Sequence, residues 1–417
     1  MRPTLTIHRA ADEIGGNCVE LAYGGHRILL DAGSPLDAEG PADASQIPAT
    51  LDLSAPLDGV ILSHPHQDHV GLLGALPAAW PVWAGAPTAA LVELNARLGG
   101  RDLPQRVSTY ASGQPLSVGP FSVTPFLTDH SAFDAHMLLV DVGGRRVLYS
   151  GDFRRSGRKA ALVERLMRRP PADVDVLLLE GTTLGRTERF PTEREIEVRF
   201  RALFDETPGR VFVTWSAQNV DRTVTIYRAC KQARRPLVLD LYTIDVMERL
   251  GAFNERLPRL GFPGLHAVIT SRMKWLYETR MGEPELVTSV AKSGRALGAA
   301  ALQEMPDAVV MLRPSLLRDY LTKGLVIEPG DAWVFSMWRG YGERPEYVDV
   351  RQRFASAGAR TAHLHTSGHA SRADLEAFAA SVAPRHLVPI HSFEWDAHLD
   401  GFANMRRLRD GEVFAIP

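Results

Sequence analysis

Four potential metal ligands lie within six residues of the segment ILSHPHQDHVG, residues 61–71. They are His64, His66, Asp68 and His69. Crowding imidazole and carboxylate groups is costly unless each is satisfied by a partner, so this density predicts a metal site. His64 and His66 can share one side of an extended segment, whereas the other two begin the helix predicted for HVGLLGALP. Donors that point in two directions favour two metal ions, a usual arrangement for phosphoester and ester hydrolysis.

The remaining composition indicates which metal ions such a site would take. Cys18 and Cys230 are the only cysteines, so neither zinc-finger spacing nor a disulfide framework is present. Nitrogen and oxygen donors without thiolate fit Zn²⁺ or Mn²⁺. The residues alone therefore predict a hydrolytic centre with two divalent ions, Zn or Mn.

Length and charge limit the class of protein. With 417 residues, the chain exceeds what a single core usually supports, so we expect two domains or one domain with a large insertion. A formal charge of −2 shows no overall basic excess, which counts against a nucleic-acid binder. The absence of a long apolar run and of a signal-peptide stretch in MRPTLTIHRAADEIGG predicts a cytoplasmic protein without membrane contact.

Strands must position these groups, and the first part of the chain reads as short strands with tight turns. Gly24-Gly25 and Gly143-Gly144 each predict a hairpin. Four strands end at a potential ligand or acid, namely GVILSH at His64, SVTPFLTDHS at His130, RRVLYSGD at Asp152 and DVLLLEG at Glu180. Strands that end together build an active site at one edge of a β-sandwich.

From about Phe200 the pattern changes to alternating strands and helices, as in RVFVTW followed by NVDRTVTIYRACKQA. This alternation predicts a parallel sheet covered by helices. The simplest arrangement is a split catalytic domain, residues 1–204 and 348–417, with an α/β domain inserted at 205–347.

The motifs resemble a known superfamily. HxHxDH after LLDAG, then His130 in TDHSAFDAH and Asp152 in YSGDF, is similar to the metallo-β-lactamase fold. Glu180 in LLLEGTTLG, HTSGHAS at 365–371 and His391 in VPIHSF resemble the β-CASP nucleases. The ending HTSGHAS…PIH with PGDAWVFS is most similar to ribonuclease J. The resemblance covers nearly the whole chain and implies an αββα sandwich with an inserted α/β β-CASP domain.

One difference from ribonuclease J concerns the end of the sequence. The sequence ends with EVFAIP, so the resemblance implies that the C-terminal domain of ribonuclease J is missing. That domain assists dimerisation in the family, which leaves a homodimer open here.

The resemblance also implies roles at the metal centre. Asp152 would bridge the two metals, and Asp68 would both ligate and orient the attacking water. The other ligands fall into two groups, His64, His66 and His130 for one metal, and Asp68, His69 and His391 for the other.

The same resemblance assigns the proton donor and the substrate contacts. His369 would protonate the departing sugar oxygen, and Glu180 would keep it protonated and oriented. His365 and Ser367 would face a phosphate of a single-stranded RNA. SAQNVDR, residues 216–222, would meet the substrate's 5′ end through Gln218, Asn219 and Arg222. Gln218 replaces a serine usual in ribonuclease J, and helix capping is an equal reading for Gln218 and Asn219.

Four functions compete. The first is a two-metal ribonuclease, with exonuclease and endonuclease modes both open. A DNA nuclease of the Artemis type is the second, although those relatives generally lack a histidine matching His391. A lactone or thioester hydrolase would leave the insertion and HTSGH unexplained. A non-catalytic RNA-binding scaffold would usually have lost ligands, and none is missing.

Trp338, Arg339 and Tyr341 in SMWRGYG fit base stacking or domain packing.

Overall fold

The computed structural model describes residues 1–38, 40, 42–100 and 102–417. The chain divides into two compact units. The first comprises Met1–Arg189 and Gly368–Pro417, and the second comprises Phe190–Ser367. Within the described residues, no helix combines the length and the apolar character that crossing a membrane requires.

The strands are numbered in chain order. In the described residues they are β1 (Thr4–Arg9), β2 (Cys18–Tyr23), β3 (His26–Leu30), β4 (Gly59–Ile61), β5 (Val82–Gly85), β6 (Val107–Tyr110), β7 (Leu116–Val118), β8 (Phe121–Leu127), β9 (His136–Val142), β10 (Arg145–Tyr149), β11 (Val176–Leu179), β12 (Val211–Thr214), β13 (Leu237–Asp240), β14 (Leu265–Ile269), β15 (Ala296–Gly298), β16 (Val309–Met311), β17 (Ala332–Phe335), β18 (Arg360–His363), β19 (His386–Pro389) and β20 (Val413–Ala415).

The α-helices are α1 (Gln67–Val70), α2 (Ala86–Leu98), α3 (Ala160–Arg168), α4 (Glu193–Glu206), α5 (Val220–Ala233), α6 (Leu241–Gly251), α7 (Ser271–Trp275), α8 (Pro284–Lys292), α9 (Pro314–Thr322), α10 (Pro345–Ser356) and α11 (Arg372–Val382). Short 3₁₀ segments include Leu73–Ala75 and Arg339–Glu343, and a π-helical turn spans Leu276–Arg280.

The first unit is a sandwich of two sheets. One has the strand order β20-β1-β2-β3-β4-β5-β6 and the other the order β19-β11-β10-β9-β8-β7. Alternation of side chains fills both faces of the strands. In β3, Ile28 and Leu30 join the core between the sheets, whereas Leu29 packs on the outer face.

Helices cover both outer faces of this sandwich. Ala89 and Val92 of α2 pack on the first sheet, and Val163 of α3 and Phe378 of α11 pack on the second. The predicted αββα sandwich is therefore confirmed, as are the hairpins. Gly24 and Gly25 join β2 to β3 with positive φ angles of 62° and 86°, which glycine adopts without strain.

The helix predicted for HVGLLGALP is much shorter than expected. Helix α1 is a single turn, and the chain then continues through Gly71 into a 3₁₀ segment. The backbone is diverted because the nearby carbonyls already have partners on the strand side. Ala32 N–H donates to His69 O, and Leu72 N–H donates to Ala32 O.

The second unit contains one parallel sheet with the order β15-β14-β13-β16-β12-β17-β18. Every strand pair in it is parallel, as expected from the alternation of strands and helices. Helices α9 and α10 cover one face through Leu316, Leu317, Val350 and Phe354.

The limits of this unit differ from the predicted 205–347. Helix α4 belongs to it because its first residue, Glu193, is buried in an ion pair with Arg222 of α5, at 3.0 Å. Strand β18 belongs to it because it pairs in register with β17. Strand β18 and all but the last two residues of α4 lie outside the predicted range.

Candidate metal centre

Strand ends of the first unit bring the predicted residues to one edge of the sandwich. The parallel pairs β3–β4, β10–β11 and β11–β19 have their carboxyl ends together. The segments that follow these strands and β8 carry the polar residues, namely Asp31 after β3, His64 after β4, His130 after β8, Asp152 after β10, Glu180 after β11 and His391 after β19.

Three imidazoles converge as the first donor group. His64 Nε2 and His130 Nε2 each lie 3.2 Å from His66 Nδ1. The Nδ1–H of His130 donates to the Gly368 carbonyl at 2.5 Å, which leaves Nε2 for another partner. Nitrogen atoms this close, with two of the rings buried, have the spacing of ligands around a single ion.

Electrostatics keeps this first group in the form that binds metal. Burial, together with the neighbouring imidazoles, lowers the pKa of His64 and His130 well below the ordinary value. Burial also lowers the pKa of His66. A neutral imidazole offers a lone pair, so the three rings are ready to bind a cation at neutral pH.

Asp68, His69, Asp152 and His391 form the second donor group. His69 Nε2 lies 3.3 Å from Asp152 Oδ2, and His391 Nε2 lies 3.7 Å from Asp68 Oδ2. Asp152 Oδ2 also lies 3.6 Å from His64 Nε2, in the first group. One carboxylate therefore stands between the two groups, where a bridging ligand would be.

Unpartnered buried atoms show that these residues fit metal ions. Within the described residues, both carboxylate oxygens of Asp152 and both ring nitrogens of His391 are buried without a hydrogen-bond partner. Burial alone would raise the pKa of Asp152, but His69, His391 and His369 together hold it well below its ordinary value. A buried, ionised and unbonded carboxylate is costly unless a cation satisfies it, so the donor set fits divalent metals.

Asp31 orients the second group, and the sequence reading did not single it out. Its Oδ2 accepts from His69 Nδ1 at 2.7 Å, from Tyr149 Oη at 2.7 Å and from Ser63 Oγ at 2.6 Å. A carboxylate on Nδ1 fixes the tautomer in which Nε2 is the free ligand. The available signal was its position, because Asp31 ends the LLDAG strand beside the histidine cluster.

His369 and Glu180 form a separate pair at the same edge. His369 Nδ1 lies 2.9 Å from Glu180 Oε2 and 3.6 Å from Asp152 Oδ2. The other oxygen of Glu180 accepts from Phe153 N–H at 2.9 Å, which fixes the carboxylate. Burial would lower the pKa of His369, but the charges of Glu180 and Asp152 outweigh it and raise the pKa to about 9.

The predicted substrate residues lie in the second unit. His365 Nδ1 lies 3.4 Å from the Ser336 carbonyl, and burial followed by the charge of Arg222 lowers its pKa to about 3. Ser367 is buried. Gln218 Nε2 donates to Tyr242 Oη at 2.8 Å, and Asn219 caps α5 by accepting from Arg222 N–H at 3.0 Å.

Arg222 does not fit the predicted contact with substrate. Its side chain is fully buried, and its guanidinium donates to both oxygens of Glu193 and to Ser336. A guanidinium held in this way has no donor directed to solvent. Arg222 stabilises the second unit instead, and the sequence motif could not show its buried partner, which lies 29 residues upstream.

Two family models match segments of this chain. Residues 11–203 match the metallo-beta-lactamase superfamily. Residues 358–400, which include His365, His369 and His391, match a zinc-dependent metallo-hydrolase RNA specificity domain.

Curated relatives of this chain are ribonucleases at low identity. Ribonuclease J of Sinorhizobium meliloti is 25% identical, over 97% of this chain and 72% of its own length. Ribonuclease J of Mycobacterium tuberculosis is 26% identical, over 91% of this chain and 67% of its own length. Ribonuclease J of Thermus thermophilus is 22% identical, over 92% and 68% respectively.

A solved structure shares the fold. The crystal structure of a protein of unknown function from Enterococcus faecalis V583 matches with a TM-score of 0.78 at 20% identity. The match covers 99% of this chain and all of the other.

Proposed function

The chain belongs to the β-CASP group of the metallo-β-lactamase superfamily, and we propose that it is a ribonuclease that hydrolyses phosphodiester bonds of single-stranded RNA. The observation that carries the proposal is the position of His369, whose Nδ1 lies 2.9 Å from Glu180 Oε2 and 3.6 Å from Oδ2 of Asp152 in the second donor group. The RNA specificity match and the names of the relatives favour RNA as the substrate class.

Two divalent ions, Zn or Mn, would be held by the two donor groups. His64, His66 and His130 would hold one, Asp68, His69 and His391 the other, and Asp152 would contact both. When bound, such ions polarise the phosphate and make water acidic enough to act as a nucleophile near neutral pH.

Asp68 would position the attacking water. Its carboxylate is the most open of the second group, with 21% of the side chain exposed, whereas His69, Asp152 and His391 are almost completely enclosed. Its Oδ2 is separated by 3.7 Å or more from the ring nitrogens of His69 and His391, so it can accept a hydrogen bond from water. A carboxylate in this position aligns the water for attack on phosphorus.

His369 would donate the proton to the departing sugar oxygen. Glu180 Oε2 lies 2.9 Å from His369 Nδ1 and so holds the ring in one orientation. A pKa of about 9 keeps the ring protonated at neutral pH, as a general acid requires.

Four residues of the second unit remain proposed substrate contacts: His365, Ser367, Gln218 and Asn219. With its low pKa, His365 would bind as a neutral hydrogen-bonding group rather than as a cation. Arg222 is left out because of its buried ion pair.

The test compares wild type with His369→Ala on labelled RNA in Mn²⁺ or Zn²⁺. Substrates are single strands with 5′-monophosphate or 5′-triphosphate ends and circular RNA, with matched DNA beside them. We expect His369→Ala to lower kcat about 10²- to 10⁴-fold. Its metal content should stay at the wild-type level, because the seven proposed ligands are intact.

His386→Ala serves as the control, because His386 begins β19 in the same unit and contacts Phe414 rather than the ligand sets. If wild type and His369→Ala are equally inert on every RNA, the ribonuclease proposal fails. Turnover of a lactone or thioester in the same preparations would then favour a small-molecule hydrolase, and faster cleavage of DNA than of RNA would favour a DNA nuclease.

A further inference from the structure

An aromatic segment follows a strand of the second unit's sheet, at the same edge as the predicted substrate residues. Strand β17 pairs with both β12 and β18, so the segment after β17 lies between the segments that follow its two neighbours. Gln218 and Asn219 follow β12, and His365 follows β18. The carboxyl ends of parallel strands are where open α/β sheets bind ligands. The segment after β17 carries Trp338, Arg339 and Tyr341.

Trp338 is held in place by its neighbours, although the residue is partly exposed to solvent. Its side chain contacts Tyr341 edge to face, with ring centroids 5.4 Å apart, and the residue is 42% exposed. The six-membered ring of the indole lies so close to Gly340 that a Cβ at that position would overlap it. Because the backbone of Gly340 supports the ring, a ligand that stacks on Trp338 would lose little ordering entropy.

Two cations accompany the aromatic pair. The Arg344 guanidinium lies 4.7 Å from the centre of the Tyr341 ring, and Arg339 Nε donates to His363 Nδ1 at 3.3 Å. Both arginines are exposed, and neither forms a salt bridge to a carboxylate among the described residues. A groove of about 330 Å³ lined by Phe335, Arg339 and His363 adjoins them.

A rigid aromatic face beside guanidinium groups that have no carboxylate partner among the described residues is what single-stranded nucleic acid binds, through base stacking and phosphate contacts. We propose that Trp338 stacks on an unpaired base of a single-stranded RNA and that Arg339 and Arg344 contact its flanking phosphates. The inference rests on the proposed function and adds a site that recognises the substrate. Trp338 is a binding residue here, outside the ligand sets.

The test measures RNA binding and cleavage for Trp338→Ala, Trp338→Phe and Trp275→Ala. Trp275 is the matched control, since it is a 57% exposed tryptophan of the same unit, in α7. We expect Trp338→Ala to raise KM and the equilibrium Kd for a 20-nucleotide RNA roughly 5- to 150-fold, with kcat within about twofold. Trp338→Phe should recover most of the affinity, and Trp275→Ala should match wild type.

A second series uses RNAs with one abasic ribose moved along the strand. With the abasic ribose at one particular position, the Kd of the RNA for wild type should rise to the Kd of intact RNA for Trp338→Ala. The Kd of Trp338→Ala should be the same for this abasic RNA as for intact RNA. Equal losses on every abasic RNA, or an equal effect of Trp275→Ala, would overturn the stacking site. A change in sedimentation mass of Trp338→Ala without a change in Kd would overturn it in favour of contact with a second copy.

Failure of the proposed function gives a different pattern. Hydrolysis of bis(p-nitrophenyl) phosphate, which offers no base to stack, should be equal in all four proteins. If wild type hydrolyses this ester but cleaves no RNA, the ribonuclease proposal fails, and the equilibrium Kd still decides whether Trp338 stacks on a base.

Discussion

At the scale of single residues, Glu180 contributes more than any other carboxylate to the protonation of His369. Glu180 is the nearest acid to its ring, and its charge is the largest of those that raise the His369 pKa to about 9. In Glu180→Gln that charge is gone, while burial still lowers the pKa. We therefore expect the variant to lose protonated His369, and with it activity, at a lower pH than wild type.

The measurement is kcat for RNA cleavage from pH 6 to 10. Above its pKa a general acid loses its proton about tenfold per pH unit, so the alkaline limb reports the His369 pKa. Glu376→Gln is the control, because Glu376 pairs with Arg372 on a partly exposed face of α11. An unchanged alkaline limb with a lower kcat at all pH values would mean that Glu180 only supports the structure.

Residue spacing predicted which donors come together because the donors follow strand ends. Every residue of the two donor groups was named from the motif and its resemblance, and within each group the donor atoms lie within 4.8 Å of one another. Asp31 was missed because a single aspartate after a strand is common and indicates no particular function. Its role in orienting His69 is visible only from the three hydrogen bonds that its carboxylate accepts in the structure. The burial of Arg222 against Glu193 was not foreseen, because a motif does not reveal burial.

At the scale of elements, the ligand segment depends on a close approach of two chain segments. Residues 31–34 run beside residues 67–69, with Ser34 N–H donating to Gln67 O at 3.0 Å and Ala32 N–H to His69 O at 2.8 Å. Gly33 lies between them, and a Cβ there would overlap the carbonyl of Asp68. This contact explains the glycine of LLDAG, which the sequence reading used only as part of a resemblance.

Gly33→Ala should therefore displace the backbone of Asp68 and weaken the second donor group. We expect a free energy of unfolding lower by about 1–3 kcal/mol, as for overpacking of a close contact, and a lower metal content after dialysis. Gly261→Ala is the matched control, because a Cβ at Gly261 meets nothing within 4 Å and its φ is not positive. Equal metal content in the two variants would contradict the argument.

Strand ends were easier to predict than helix ends for a physical reason. A strand that alternates apolar residues and stops at a polar one has a clear signal, and β4, β8, β10 and β11 all end within three residues of the predicted group. The prediction of a long helix after His69 was wrong because the backbone groups there form hydrogen bonds with the segment that follows β3. Tertiary partners of this kind leave no periodic trace in the sequence.

At the scale of the whole molecule, the division into two units rests on contacts between distant residues. The fold class was predictable because each unit has its own sequence pattern. One unit shows short strands, and the other shows alternating strands and helices. The boundary was not, since α4 is assigned by the buried pair Glu193–Arg222 and by packing on α5.

Arg222→Met should therefore destabilise the second unit and leave the metal centre intact. Removing one partner leaves Glu193 buried without a counter-charge, which costs about 3–5 kcal/mol of unfolding free energy. The proposed ligands all lie in residues 1–189 and 368–417, so metal content and hydrolysis of bis(p-nitrophenyl) phosphate should match wild type.

Two further variants make this measurement decisive. Arg353→Met removes an exposed pair with Asp349 on α10 and should cost less than about 1 kcal/mol. Arg222→Met combined with Glu193→Gln should recover part of the loss, because the uncompensated charge is removed as well. Denaturant unfolding followed by circular dichroism, with proteolysis to locate the unit that opens, distinguishes the cases. Equal losses in Arg222→Met and Arg353→Met, or metal loss in Arg222→Met, would show that the pair does not stabilise the second unit independently of the metal centre.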